Sequence, residues 1–158
     1  MKKLISLFSA LFLLLLCVSC SQNSSGTADF KTQDAMDAML AQAPIEDSLV
    51  LGESDMLDFY GISPEEMEQF SAVMCADGIT AKEIVLVKAT SDDNAQKVET
   101  SLKNRLQNRA NEADGYNPEQ FAIIQKCEVK RDGRYIRMII SPEATQLTEI
   151  YNQYLSGK

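Results

Sequence analysis

Four cysteines, no histidine and one dense group of cations set the chemistry open to this 158-residue chain. Without imidazole there is no Ser-His-Asp or Cys-His nucleophile pair, no histidine general base and no histidine-containing zinc site. Lys126, Lys130, Arg131, Arg134 and Arg137 crowd one short stretch. Such a cluster can hold anionic polymer, lipid head groups or an acidic protein, since arginine presents a planar fork to phosphate or carboxylate, or it can lie near the chain's own acids. From Thr32 to Ala81 the chain carries acids and no Lys or Arg, whereas both signs are mixed from Lys82 onward. The acidic half either faces cations or a basic partner, or lies on solvated surface with some acids paired to the basic stretch. The second is the simpler reading, because charge runs ordinarily mark exposed surface.

Other constellations are weaker. Asp47 to Asp58 places Gly52 where an EF-hand loop needs glycine, but puts Leu49 and Leu51 at ligand positions, so no metal and no cofactor is expected. Acids are numerous enough to supply a carboxylate pair for a small envelope hydrolase, the alternative to a binding function, although the lack of Trp weakens a sugar-stacking groove. Tyr60 and Tyr116, beside Gly61 and Gly115, either line a pocket or pack turns. Cys75 and Cys127, both on expected strands, are read as two buried apolar side chains, with a disulfide as the other possibility. The net charge of −8 argues against nucleic acid, which needs a net basic surface.

The first residues read as an address. Lys2 and Lys3 precede an apolar run from Leu4 to Leu16, the n-region and h-region of an export signal. In helix that run reaches about 20 Å, short of the ~30 Å hydrocarbon slab, so a permanent span is disfavoured. Ser19 then precedes Cys20 and a Ser/Asn/Gly-rich segment, a pattern that resembles the lipobox of bacterial lipoproteins. Cys17 stands where that family usually has Leu. The resemblance implies cleavage before Cys20 and acylation of its thiol, hence residues 1–19 as signal peptide, 20–31 as a flexible tether and 32–158 as one domain. The membrane is then a partner through Cys20, and the domain sits on the extracytoplasmic face of the cell membrane.

The exported part predicts elements in the order α, β, β, α, β, β, α. Met36, Met39, Leu40 and Ala43 repeat at helical spacing between a Thr32 cap and Pro44. Residues 45–63 lack clean period and are expected to press Leu49, Leu51, Leu57, Phe59 and Tyr60 onto the core as an irregular connection. Ser63-Pro64-Glu65-Glu66 starts one helical turn, followed by a strand with Phe70, Ala72 and Met74 on one face, though helix also fits residues 68–76. Glu83 to Ala89 predicts a strand, Ser91 caps a helix carrying Ala95, Val98, Leu102 and Leu106, and strands over Ala122–Val129 and Tyr135–Ile140 meet at an Asp132-Gly133 turn. A last helix buries Ala144, Leu147, Ile150, Tyr151 and Tyr154. The expected fold is α+β: a two-layer sandwich of a largely antiparallel four-stranded sheet and helices.

Tyr60-Gly61-Ile62, the run Ala81 to Ala89, Tyr116-Asn117-Pro118, and Gly133-Arg134-Tyr135 with Ile139-Ile140-Ser141 resemble, in that order, an uncharacterised domain-of-unknown-function family (number 4358) of small Gram-positive lipoproteins. The resemblance spans most of residues 34–155 and implies lipoprotein status and a shared fold, with no catalytic residue to transfer. The expected function is therefore a lipid-anchored, non-enzymatic interaction module at the cell envelope, its partner a protein or envelope polymer.

Overall fold

A computed structural model describes residues 28–158. Its elements are α1 (Thr32–Gln42), β1 (Ser48–Val50), α2 (Glu53–Tyr60), a 3-10 turn (Pro64–Glu66), β2 (Met67–Cys75), β3 (Glu83–Ala89), α3 (Asp92–Ala113), α4 (Pro118–Ile124), β4 (Val129–Asp132), β5 (Tyr135–Ile140) and α5 (Ala144–Ser156). The strands form one sheet in the order β1-β2-β3-β5-β4, antiparallel at every pair. The leader, Cys17 and Cys20 lie outside the described residues.

The α+β class holds, with three corrections. The sheet has five strands, because Ser48–Val50 adds an edge strand to β2 and Glu53–Tyr60 is a helix. That helix starts where the Asp55 carboxylate accepts a hydrogen bond from Gly52 N (2.7 Å) and stops at Gly61 in the left-handed region. Of the side chains expected to press inward there, Leu51 and Tyr60 are buried, whereas Leu49, Leu57 and Phe59 face solvent. Second, the segment expected as a strand from Ala122 is the end of helix α4, started by Pro118 and capped by the Asn117 side chain on Gln120 N; strand β4 begins only at Val129.

Third, helices cover both faces of the sheet. Side chains of β3 alternate: Val85, Val87 and Ala89 join Val98 and Leu102 of α3, while Ile84 and Leu86 join Met36 and Met39 of α1 and Leu147 and Tyr151 of α5. A strand buried on both faces cannot alternate apolar with polar, which is why Ile84 to Val87 is an unbroken apolar run. Met67 shares a face with Ala72 because an irregularity between Met67 and Gln69 shifts the register. Thr32 does not cap α1: its hydroxyl meets Ser71 Oγ at 3.1 Å, and Lys31 holds the cap position.

The sheet has two chemically distinct ends. At one, Ala89 N donates to Arg134 O beside the β4–β5 turn, and residues 28–31, read from sequence as tether, cross it as a strap. Ala28 N donates to Leu155 O, Phe30 N donates to the Tyr135 hydroxyl, and the Phe30 ring stacks on Tyr135 at 4.5 Å. At the other end lie the β2–β3 turn and the start of β3, where Glu83 pairs with Ile140.

Candidate functional site

The five cations singled out in the sequence do not form one site: Arg131 and Arg134 point away from the cleft that Lys126 and Arg137 line. Arg134 pairs with Glu68 (2.7 Å) at the strap end, and Arg131 pairs with Glu99 of α3 (3.0 Å) on one face of the sheet. Arg137, buried on the opposite face, meets Glu128 (3.1 Å) and lies over the Tyr151 ring at 5.6 Å. Lys126 and Lys130 are exposed. Pairing with the acidic half thus reaches Arg134 through Glu68, while Arg131 and Arg137 take carboxylates from their own half.

At the strap end, Lys88 is almost fully buried and holds two carboxylates, Asp29 at 2.8 Å and Glu68 at 2.6 Å. Hydrogen bonds from Lys88 and Tyr135 hold the Asp29 carboxyl below its usual range, and Lys88 does the same for Glu68. This network closes the strap on the domain.

The far end offers a cleft. It is about 310 Å³, bounded by Gly78, Ile79 and Ala81 of the β2–β3 turn and by Tyr116, Asn117 and Gln120 at the α3–α4 junction. Asp77 fixes the first wall: its carboxylate accepts hydrogen bonds from Ile79 N (2.8 Å), Thr80 N (2.7 Å) and the Thr80 hydroxyl (2.6 Å). The Thr80 hydroxyl and these amides hold the Asp77 carboxyl far below the usual range. Gly115, in the left-handed region, turns the chain out of α3 at the second wall. Gln120 ties the walls together by accepting Ala81 N at 2.8 Å. Two large side chains stand out on the rim, Ile79 at 72% and Tyr116 at 90% exposure.

Behind the cleft sits a buried ionic network. Glu83, fully buried, accepts two hydrogen bonds from Arg105 (3.1 and 2.9 Å), with Arg109 Nε at 3.7 Å. Arg109 Nη1 reaches Glu112 on the cleft wall at 2.9 Å. Arg105 lies over the ring of Tyr60 at 5.4 Å, and burial with the nearby Glu83 charge pushes the Tyr60 phenol up. A carboxylate saturated by a bidentate guanidinium is a structural anion rather than a general acid. Burial likewise pushes the Cys127 thiol up, away from the nucleophilic thiolate. Cys127 lies in the α4–β4 connection, not on a strand, and Cys75 belongs to the core on the other face; both thiols are free.

The surface of this end is mixed in character. It displays apolar and aromatic side chains on two pinned turns, with amide groups between them and carboxylates around them: Glu46, Asp47, Asp114 and Glu119 are all exposed. The exposed Leu49 and Val50 of edge strand β1 adjoin it, since Ser48 pairs with Cys75 at the end of β2. Sequence reading named Tyr116 but missed Ile79, Arg109 and Gln120. Asp77-Gly78 is a turn-forming pair, yet nothing local says that it faces Tyr116.

A family described as Domain of unknown function (DUF4358) matches residues 41–141, from the end of α1 through β5. No curated protein and no solved structure matches the chain.

Proposed function

The chain belongs to the DUF4358 family of domains of unknown function, and from that premise we propose that it is a lipid-anchored, extracytoplasmic interaction module that binds a basic protein partner through the end of the sheet farthest from its anchor. The observation that carries the reading is the cleft rim, where Ile79 and Tyr116 are held out into solvent by the Asp77 and Gly115 turns. Exposed aromatic anchors beside a cleft are the usual energetic centres of protein interfaces. The surrounding carboxylates select a cationic partner surface.

Anchoring is supported by Lys2, Lys3, the apolar run to Leu16 and the Ser19-Cys20 step, with diacylated Cys20 as the attachment point. The strap brings the chain onto the domain at the end opposite the cleft, which supports a cleft directed away from an anchor at Cys20. The test is in-cell photocrosslinking of the full chain, with the photoreactive residue at position 79, 116 or, as control, at exposed Gln107 on α3. A discrete protein adduct from the first two sites and none from the third is the expected result. No adduct, or equal adducts from all three sites, overturns the proposal.

A further inference from the structure

We infer that the cleft between the first turns of α5, strand β5 and the α4–β4 connection is a binding site for a small monoanionic carboxylate bearing a short apolar group. The cleft is about 260 Å³, and its polar lining is Lys126, Glu128, Arg137, Thr145, Thr148 and Glu149. It lies on the α5 side of the sheet, whereas the Ile79 and Tyr116 cleft is built from the β2–β3 turn and the α3–α4 junction.

Arg137 is the anomaly that points to a ligand. It is 2% exposed, yet its guanidinium is met by a single carboxylate, that of Glu128, through Nη2, while the buried Nε has no hydrogen-bond partner. Its partner is itself 69% exposed and so poorly committed. A buried cation needs close and complete pairing to offset its lost hydration, and this one has half of it. The surroundings sharpen the imbalance. Lys130 stands directly opposite Arg137 across the β4–β5 ladder, a like-charge pair that is unfavourable unless an anion lies between or beside them. Lys126 adds a third positive charge at the cleft mouth, and the Thr145 and Thr148 hydroxyls can donate to an oxyanion.

Charge and lining choose among anions. Glu128 already presents a carboxylate to Arg137 and so occupies the place the ligand would take; an external carboxylate swings this exposed side chain aside and adopts its hydrogen bond. Glu149 on the opposite wall and Glu128 beside Arg137 repel a phosphate dianion more strongly than a monoanion. Ile139, Ala144 and Cys127 provide an apolar floor for a short aliphatic group.

The test is a ligand-observed NMR titration of butyrate against the full chain in lipid nanodiscs, with empty nanodiscs subtracted and ionic strength fixed. Glu128→Gln, which removes the internal competitor from an exposed position, is expected to tighten butyrate binding about fivefold, and Lys126→Gln to weaken it by a similar factor, the scale of one charge pair near a surface. Saturable binding with both shifts supports the site. Binding that ignores both substitutions, no saturable binding in Glu128→Gln, or displacement of butyrate by an equal concentration of inorganic phosphate overturns it.

Discussion

Two buried charges bracket the central strand. Glu83 and Lys88 stand near opposite ends of β3, on opposite faces of the sheet, and each is held by two residues of the other sign. Their roles differ because their partners differ: Lys88 fastens the strap, while Glu83 anchors α3 to the strand beneath it. Removing one member of a buried pair leaves the others charged and unpaired, which costs about 3–5 kcal/mol. Glu83→Ala is therefore expected to destabilise the domain on that scale in equilibrium urea unfolding, and Glu83→Leu combined with Arg105→Met to recover most of the loss. A single-mutant loss near zero would show that water reaches this network. Asp77 acts locally by comparison, since its three hydrogen bonds close one exposed turn. Asp77→Ala should accelerate hydrogen exchange at Ile79 and Thr80 while leaving the thermal midpoint nearly unchanged; unaltered exchange would mean that the turn is held by its backbone alone.

Among the elements, the strap is the one whose attachment depends on ionisation. Asp29 and Glu68 are held below their ordinary values of 3.8 and 4.5, chiefly by hydrogen bonds from Lys88. A carboxyl depressed in the folded state contributes stability that is complete above its unfolded value and is lost as pH falls through its folded value. The strap is thus expected to stay closed at neutral pH and to loosen only as pH falls below the ordinary carboxyl values and through the depressed folded-state ones. The amide of Phe30, bonded to the Tyr135 hydroxyl, reports it: its protection factor should collapse in acid while those of Val85 and Leu86 persist. Equal loss at all three would make the event global unfolding. Other elements differ in how far the chain announces them. β3, the Ser91 cap of α3 and the Asp132-Gly133 turn were legible because each signal is local. α4 was not: Phe121-Ala122-Ile123-Ile124 suits strand and buried helix alike, and the cue that separates them, Asn117-Pro118-Glu119, is the same helix start that Ser63-Pro64-Glu65 displays. The second helical layer also had a signal, the unbroken Ile84 to Val87 run, which alternation-minded reading passes over.

At the scale of the whole molecule, the fold places the strap and the Ile79–Tyr116 cleft at opposite ends of the strands. The convergence of Ile79 with Tyr116, and of Lys126 with Arg137, depends on how the sheet and helices assemble, so composition alone could indicate a charge asymmetry but not where it acts. Carboxylates from Asp34 to Asp58 make no ion pair among the described residues, and the exposed ones extend the negative potential of the cleft end along β1 and α2. A cationic partner approaching that end gains most from long-range attraction, which salt screens over about 8 Å at physiological ionic strength and about 3 Å at 1 M. Adduct yield from a photoreactive residue at position 116 should therefore fall steeply as salt is raised on intact spheroplasts, mainly through slower association. The proposed tether adds a second factor, because a diacylated Cys20 would confine the module to the membrane surface and raise its effective concentration for any partner held there. Cys20→Ala, by removing the acceptor thiol, is expected to move the chain out of the membrane fraction and to lower the adduct yield at every salt concentration while preserving its salt slope. If the yield is indifferent to salt, the acidic rim has no part in recognition and the apolar pair alone would have to account for it.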